Sequence, residues 1–340
     1  MYITYSPAYT IVPTYECFNR CTYCNFRAEP GKSPWMTLSE AKNIFQNLQN
    51  KSHNQNQIVC EILVLSGEVH PHSSRRQEWF QLIYNLCDLA LKMGFLPHTN
   101  AGPLSFEEMQ SLKKVNVSMG LMLEQLTPKL SENVHKYAPS KLPEVRLQQL
   151  QWAGELQVPF TTGILLGIGE EESDRTRSLE AISRIHQRYN HIQEVILQPH
   201  SPGSQQSYTA SGFNPLQLPE VIAEARKILP GDIAIQIPPN LVPDRQWLIA
   251  CLEAGASDLG GISPKDEVNP DYPHLRVEIL KKDLETKGWQ LVPRLPIYQQ
   301  FDRCLSKEIQ IKVQQWRHNI NNFGDYQEIS SKNPEIIGNS

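Results

Sequence analysis

Short β-branched and apolar runs alternate with amphipathic stretches along most of the chain. The runs YTIVPTYE (9–16), QIVCEILVLSG (57–67), FLPHTN (95–100), VNVSMGLMLE (115–124), PFTTGILLG (159–167), IQEVILQPH (192–200), DIAIQIPPN (232–240) and ASDLGGIS (256–263) predict eight strands. Turn residues or prolines bound each of them. Helical patterns lie between. TLSEAKNIFQNLQ and SFEEMQSL open with Thr37/Glu40 and Ser105/Glu108, both at capping-box spacing. WFQLIYNLCDLALKMG reads as helical, and LPEVRLQQLQWAGEL carries a near-helical stripe of Leu142, Val145, Leu147, Leu150 and Ala153. SDRTRSLEAISRIHQRY, PLQLPEVIAEARKIL and DRQWLIACLEAG complete the set.

Alternation of this kind implies a parallel sheet covered by helices. Eight units predict an α/β fold, a (β/α)8 TIM-type barrel, either complete or missing one late strand. A doubly wound open sheet is the second choice. In both, the reactive edge is the C-terminal end of the strands. Cys17, Glu68, Asn100, Glu124, Gly167, His200, Asn240 and Ser263 fall at or just past such ends. The barrel is expected over residues 1–301. Residues 302–340 read as an extension, with one helix over 307–320 and then a frayed polar tail.

Charge and composition narrow the partners. With 32 basic and 36 acidic residues the net charge is -4, which argues against a nucleic-acid partner. No run approaches ~18 apolar residues and no targeting segment is visible, so no membrane association is expected and the cytoplasm is the expected location. Seven cysteines make an odd set, four of them scattered singly. Cys60 and Cys87 sit in apolar surroundings that suit buried reduced thiols, so a disulfide framework is not expected.

The other three stand in CFNRCTYC, as Cys17, Cys21 and Cys24. A zinc site would want a fourth ligand, and the nearest histidine in sequence is His53. A [4Fe–4S] cluster is ordinarily held by four thiolates, so three leave one iron open to a small ligand. A cluster is the first reading; zinc or a redox-active thiol set stays open at this level.

The loop resembles the motif of the radical S-adenosylmethionine (SAM) superfamily. That resemblance implies Cys17, Cys21 and Cys24 as cluster ligands, Tyr23 in the aromatic slot, and SAM chelated to the open iron and cleaved to a 5′-deoxyadenosyl radical. Ser66-Gly67-Glu68 is similar to the segment that holds the SAM amino group. Glu124 resembles the carboxylate that accepts from the ribose hydroxyls. Arg146 resembles the arginine that pairs with the SAM carboxylate, and GILLGIGE, with Gly163 and Gly167, the strand whose backbone meets adenine. Each has a plainer reading: a turn, a solvated glutamate, an exposed helix arginine, a buried strand.

Further strings, SGEVHP, HTNAGPLS, VNVSMGLMLE, PFTTGILLGIGE, HIQEVILQPH, IPPNL, DLGGISP and RLPIY, occur in an order similar to the CofG family, a component of 7,8-didemethyl-8-hydroxy-5-deazariboflavin (FO) synthase. The likeness spans roughly residues 8–300 and departs at HSPGSQQS (200–207). It implies a carbon–nitrogen lyase acting on a 4-hydroxybenzyl adduct of a ribitylamino-uracil, a CofH-type sister protein that supplies the adduct, and an external electron donor. Strand-end residues Thr99, Asn100, Gln198, Asn240 and Asp258 are candidates for the substrate's polar edges. His98 and His200 are candidates for acid–base work. His186 and His191, on or beside an outward-facing helix, read as structural. The rivals are a sister enzyme of deazaflavin or menaquinone biosynthesis, an RNA-modifying radical SAM enzyme, and a non-enzymatic zinc-binding module.

Overall fold

A computed structural model describes the backbone of residues 1–55, 58–273 and 276–332, and the side chains of 1–52, 58–273 and 276–320. Its eight-stranded parallel barrel consists of β1 (Tyr2–Ile11), β2 (Glu61–Leu65), β3 (Leu96–Asn100), β4 (Ser118–Gly120), β5 (Phe160–Leu166), β6 (Ile192–Pro199), β7 (Ala234–Gln236) and β8 (Asp258–Ile262). Each strand pairs with the next, and β8 returns to β1, so the sheet is closed. A ninth strand, β9 (Gln290–Pro293), runs parallel to Tyr2–Tyr5 of β1.

The helices are α1 (Leu38–Gln55), α2 (Arg76–Lys92), α3 (Phe106–Leu112), α4 (Lys129–Glu132), α5 (Pro143–Glu155), α6 (Glu172–Tyr189), α7 (Leu218–Ile228), α8 (Arg245–Glu253), α9 (Val277–Glu285) and α10 (Lys307–Lys332). Both expected capping boxes form. Thr37 Oγ1 accepts from Glu40 N at 3.2 Å, and Ser105 Oγ accepts from Glu108 N at 3.1 Å. Trp79, Ile83, Leu86 and Ala90 of α2 are buried in one core with Ile62, Val64 and Leu96 of the strands. Each buried Ile, Leu or Val among them contributes about 1.5–3 kcal/mol. Trp79 also donates from Nε1 to Ser66 Oγ at 3.0 Å, which fixes the turn after β2.

The first strand departs from expectation. It forms over Tyr2–Ile11 and not over 9–16. Pro13 lies past its end, where its carbonyl accepts from Met36 N at 2.8 Å. Pro7 counts against a strand by local rules. Here it lies within β1, opposite Ile262, just past a register shift against β8 between Thr4 and Ser6. The ninth strand, α4 and α9 were not expected. The extension also differs: the helix runs to Lys332 and not to 320, while residues 333–340 of the expected tail lie outside the described residues, as does position 57 of the second expected strand. Ile309 and Val313 of α10 are buried, and Trp316 Nε1 donates to Gly94 O at 2.6 Å.

The N-terminal end of the barrel is closed by the chain after β9. Pro296 O accepts from Ser118 Oγ at 2.6 Å and from Gln193 Nε2 at 3.1 Å. Arg294 reaches inward to Asp258 and Glu194. The C-terminal end stays open, and the cavity lies there.

Candidate active site

Glu16, just past β1, organises the loop that carries the cysteines. Its buried carboxylate accepts from Gly31 N at 2.7 Å, Trp35 Nε1 at 3.0 Å and Arg75 Nη1 at 3.3 Å. The loop is then tied to its neighbours by backbone bonds: Phe18 N to Glu68 O at 3.0 Å, Arg20 N to Tyr137 O at 2.8 Å and Thr22 N to Val134 O at 3.1 Å. Gly67 makes the junction with β2 possible. A Cβ there would lie 2.2 Å from Glu16 O, so the close approach this glycine permits is to backbone of the cysteine loop.

These ties place Cys17, Cys21 and Cys24 around a cavity of about 320 Å³ at the C-terminal end of the strands. All three are unbridged. Burial, aided by Glu68, pushes the Cys17 thiol up to about 11. Burial pushes Cys21 up to about 12, against the opposing pull of Lys141. A thiolate in the bare cavity is therefore costly, and a bound metal centre supplies the missing positive charge. Among the described residues, no three His, Cys, Asp or Glu side chains converge closely enough to hold a single ion. Three thiols rimming one cavity match the donor set of a [4Fe–4S] cluster that leaves one iron open.

Opposite charges line the same cavity. Glu68 Oε1 accepts from Arg146 Nη2 at 3.2 Å, and Oε2 accepts from Asn19 Nδ2 at 2.8 Å. Arg146 is only 1 % exposed and also donates to Ser140 O at 2.7 Å and Met122 O at 3.2 Å. The plainer reading of an exposed helix arginine is thereby excluded. A carboxylate and a guanidinium side by side complement an amino acid's ammonium and carboxylate.

Glu124 forms an ion pair with Lys141. Burial pushes its carboxyl up, but Lys141 and Arg146 outweigh that and hold it below the ordinary glutamate range. Its φ is 65°, a left-handed conformation that costs about 1–3 kcal/mol in a residue with a long side chain. Two bonds to β5 hold it there: Glu124 N to Gly163 O at 3.2 Å and Leu165 N to Glu124 O at 3.3 Å. Tyr23 also lines the cavity, its hydroxyl 2.9 Å from His135 Nε2.

The other candidates divide. Ser66, Asn100, Gln198 and His200 line the cavity with the cysteines, Glu68, Glu124 and Arg146. Gly163 and Gly167 stand outside the lining: a Cβ at the first would meet Ile196 O at 2.3 Å, and the second packs on Phe213 with φ +87°. Thr99 bonds Asn116 Oδ1 at 2.7 Å, beside Cys87 of α2. His98 is buried, 2.7 Å from Ser118 Oγ, and burial with Arg294 nearby lowers it to about 3. Asn240 ties two loops, donating to Asp266 Oδ2 at 2.8 Å and Tyr272 O at 2.9 Å. Asp258 belongs to the closed N-terminal end. His186 and His191 are buried and do not face outward.

Sequence reading missed Glu16, Asn19, Arg27, His135 and Lys141. Asn19 lies inside the cysteine motif and Arg27 just after it. His135 and Lys141 fall in an irregular stretch with no periodic signal.

Comparison with known proteins agrees with this geometry. The Radical SAM superfamily pattern matches residues 11–182. A Nostoc sp. (strain PCC 7120) protein named 7,8-didemethyl-8-hydroxy-5-deazariboflavin synthase is 73% identical over 314 residues, 92% of this chain and 91% of that protein. A protein of the same name from Trichodesmium erythraeum is 61% identical over 315 residues, 93% of this chain and 97% of its own. In fold, the structure resembles the FeFe-hydrogenase maturase HydG from Carboxydothermus hydrogenoformans, with TM-score 0.70, 17% identity, and coverage of 96% of this chain and 81% of the other.

Proposed function

The chain belongs to the 7,8-didemethyl-8-hydroxy-5-deazariboflavin synthase family of radical SAM enzymes, and from that premise we infer how its own residues serve the reaction. The enzyme is a radical SAM carbon–nitrogen lyase that uses a [4Fe–4S] cluster and SAM. It takes the 5-amino-5-(4-hydroxybenzyl)-6-(D-ribitylimino)-5,6-dihydrouracil adduct to FO. SAM is the net two-electron oxidant: one hydrogen atom passes from the adduct to the 5′-deoxyadenosyl group, one proton and one electron also leave the adduct, the electron replacing the one that SAM cleavage consumes, ammonia departs, and the phenol ring closes onto the pyrimidine. 5′-Deoxyadenosine and methionine are the co-products. The substrate is a small molecule, and the reducing electron comes from an external donor.

One observation carries the assignment of the site: three unbridged thiols share a cavity with the Glu68–Arg146 pair. Cys17, Cys21 and Cys24 would hold the cluster, which together with SAM supplies one-electron hydrogen-atom abstraction. Glu68 would accept from the SAM ammonium and Arg146 donate to its carboxylate, each exchanging part of its present partner. Glu124 would accept from the ribose hydroxyls. Tyr23 lines the same wall. Asn100 and Gln198 offer amide donors and acceptors to the adduct. His200 is a candidate acid or base; burial lowers it below the ordinary histidine range, so it is neutral and able to accept a proton at pH 7.

A CofH-type sister protein is proposed as the source of the adduct. Residues 1–301 are proposed as the catalytic unit and 302–340 as its extension. Among the described residues, no helix is long and apolar enough to cross a membrane. Anaerobic incubation of the reconstituted enzyme with SAM, a reductant and purified adduct tests the activity. Fluorescent FO is expected; iron-free, zinc-loaded protein or absent FO would contradict the reading.

A further inference from the structure

Among the described residues, the buried side-chain polar atoms without a hydrogen-bond partner lie in Ser6, Arg27, His191, His200 and Asn240. Of these five, only Arg27 and His200 line the active cavity. A guanidinium donor sealed from water and left without an acceptor is costly, so it marks a place where a ligand completes the bonding.

Arg27 Nε has no partner. Nη2, on the same edge of the guanidinium, is ion-paired with Glu29 Oε1 at 2.6 Å, and Arg27 holds that carboxyl below the ordinary glutamate range. The side chain is 19% exposed, while Glu29 is 48% exposed and also faces Arg20. Glu29 therefore restrains the guanidinium from the solvent side without saturating it. The backbone beside it is fixed: Ala28 N donates to Tyr15 O at 2.7 Å, and Ala28 O accepts from Cys17 N at 3.1 Å. Arg27 is thus held on a short rigid link to the first cysteine.

In the reading above, Arg146 and Glu68 complement the amino-acid end of SAM, and Glu124 its ribose. Arg27 is a cation, unsuited to the sulfonium of SAM, and the other reactant is a pyrimidinedione with carbonyl oxygens on its rim. The open Nε–H fits one such oxygen, with the planar guanidinium held by Glu29 through Nη2. We propose that Arg27 is a substrate-binding residue whose Nε–H donates to a carbonyl oxygen of the adduct's pyrimidinedione. This rests on the FO synthase reading above. His200, whose Nδ1 is also unpartnered, is the second open polar group of the same cavity.

The test uses the full-length, anaerobically reconstituted enzyme and its R27Q and R27K variants. Four quantities are measured: iron content with the electron paramagnetic resonance (EPR) signal of the cluster, SAM affinity by calorimetry, kcat and KM for the adduct, and 5′-deoxyadenosine formed per FO. In R27Q the adduct KM should rise roughly tenfold to a hundredfold, the range of one lost charged hydrogen bond. Cluster signal and SAM affinity should stay at wild-type values, and the ratio of 5′-deoxyadenosine to FO should increase. R27K keeps the charge but loses the planar fork, and should lie between. If R27Q fails to load the cluster, R27K decides by the same readouts. Unchanged KM, or a loss of SAM affinity in place of adduct affinity, would overturn the assignment. A wild-type enzyme that gives no FO from authentic adduct would overturn the underlying functional reading instead, so the two failures are distinguishable.

Discussion

The two ends of the barrel each bury charged side chains, yet they differ in how fully those charges are satisfied. At the N-terminal end, Arg294 donates from Nε to Asp258 at 2.5 Å, from Nη2 to Asp258 and Glu194, and from Nη1 to Leu295 O at 3.0 Å. Tyr298 adds a bond from its hydroxyl to Asp258 at 3.0 Å. Every side of that guanidinium is used, and the segment after β9 seals it. At the C-terminal end, Glu68 and Arg146 face a cavity, Glu124 is held in a strained backbone conformation, and Arg27 keeps its Nε without an acceptor. Burial of charge by itself does not mark a site. Charge that stays accessible and incompletely paired does.

The largest effects should come from the cavity end. Replacing Cys17, Cys21 or Cys24 by Ala should abolish both cluster loading and FO formation, read from iron content and fluorescence. Cys60, Cys87, Cys251 and Cys304 should tolerate Ser with some loss of Tm and a retained cluster. Full turnover in a Cys21→Ala enzyme would erase the distinction between the two groups.

Next in size is the sealed end. Arg294→Ala leaves Asp258 and Glu194 buried without their cation, which costs about 3–5 kcal/mol. Chemical denaturation should show that loss, while SAM affinity of the folded fraction stays near wild type. Glu68→Ala and Arg146→Ala should do the reverse. Asn19 and Ser140 remain as partners for what is left, and SAM affinity should fall roughly tenfold to a hundredfold with the cluster retained. If Arg294→Ala weakens SAM binding as much as Arg146→Ala does, the two ends are not separate in function.

Acidity should act on the two ends in opposite senses. Burial and the neighbouring Asp258 push the Glu194 carboxyl up to about 8, against the pull of Arg294. A raised acid is neutral in the folded state, so its contribution is present at low pH and is lost as pH rises toward and through 8. At Glu16, burial pushes the carboxyl up, but hydrogen bonds from Trp35, Ser33 and Gly31 together with Arg75 hold it below the ordinary range. Its contribution is present above the ordinary glutamate pKa and is lost on acidification through its lowered value. Tm profiles should show Glu194→Gln flattening the alkaline limb and Glu16→Gln flattening the acid limb. Exchange of these two effects would contradict the assignment.

The smallest effect concerns Lys141, whose charge acts on Cys21 and Glu124. Lys141→Met removes a positive charge near the cluster ligands, so the reduced, more negative cluster loses support. EPR-monitored potentiometry should give a more negative midpoint, and Lys141→Arg should restore it. An unchanged midpoint in the Met variant would confine Lys141 to a purely structural pairing.

The same contrast explains what the sequence disclosed. Strand–helix alternation made the barrel legible, because apolar periodicity is a local property. The cysteine loop was legible because its spacing is compact. Glu68 and Glu124 came through family likeness and their place at strand ends, and Arg146, on a helix, through likeness alone. What stayed hidden depends on contacts distant in the chain. β1 was misplaced because its pairing partner β8, which it meets with a register shift between Thr4 and Ser6, lies more than 250 residues away. Asp258 was read within the eighth strand as a candidate for the substrate, yet it starts β8, at the opposite end from the cavity, and is claimed by Arg294 from beyond β9. Thr99 and Asn100 are adjacent, but successive strand residues face opposite sides, so only Asn100 meets the cavity. Arg27 gave no signal at all, because an unmet hydrogen bond exists only once the fold has removed the water.

The most direct test of the account is a time course of 5′-deoxyadenosine and FO by mass spectrometry, run anaerobically with authentic adduct, SAM and a competent reductant. The two products should rise together, and SAM without adduct should give little 5′-deoxyadenosine. Abundant 5′-deoxyadenosine with no FO would mean that the barrel and its cofactors serve a different substrate.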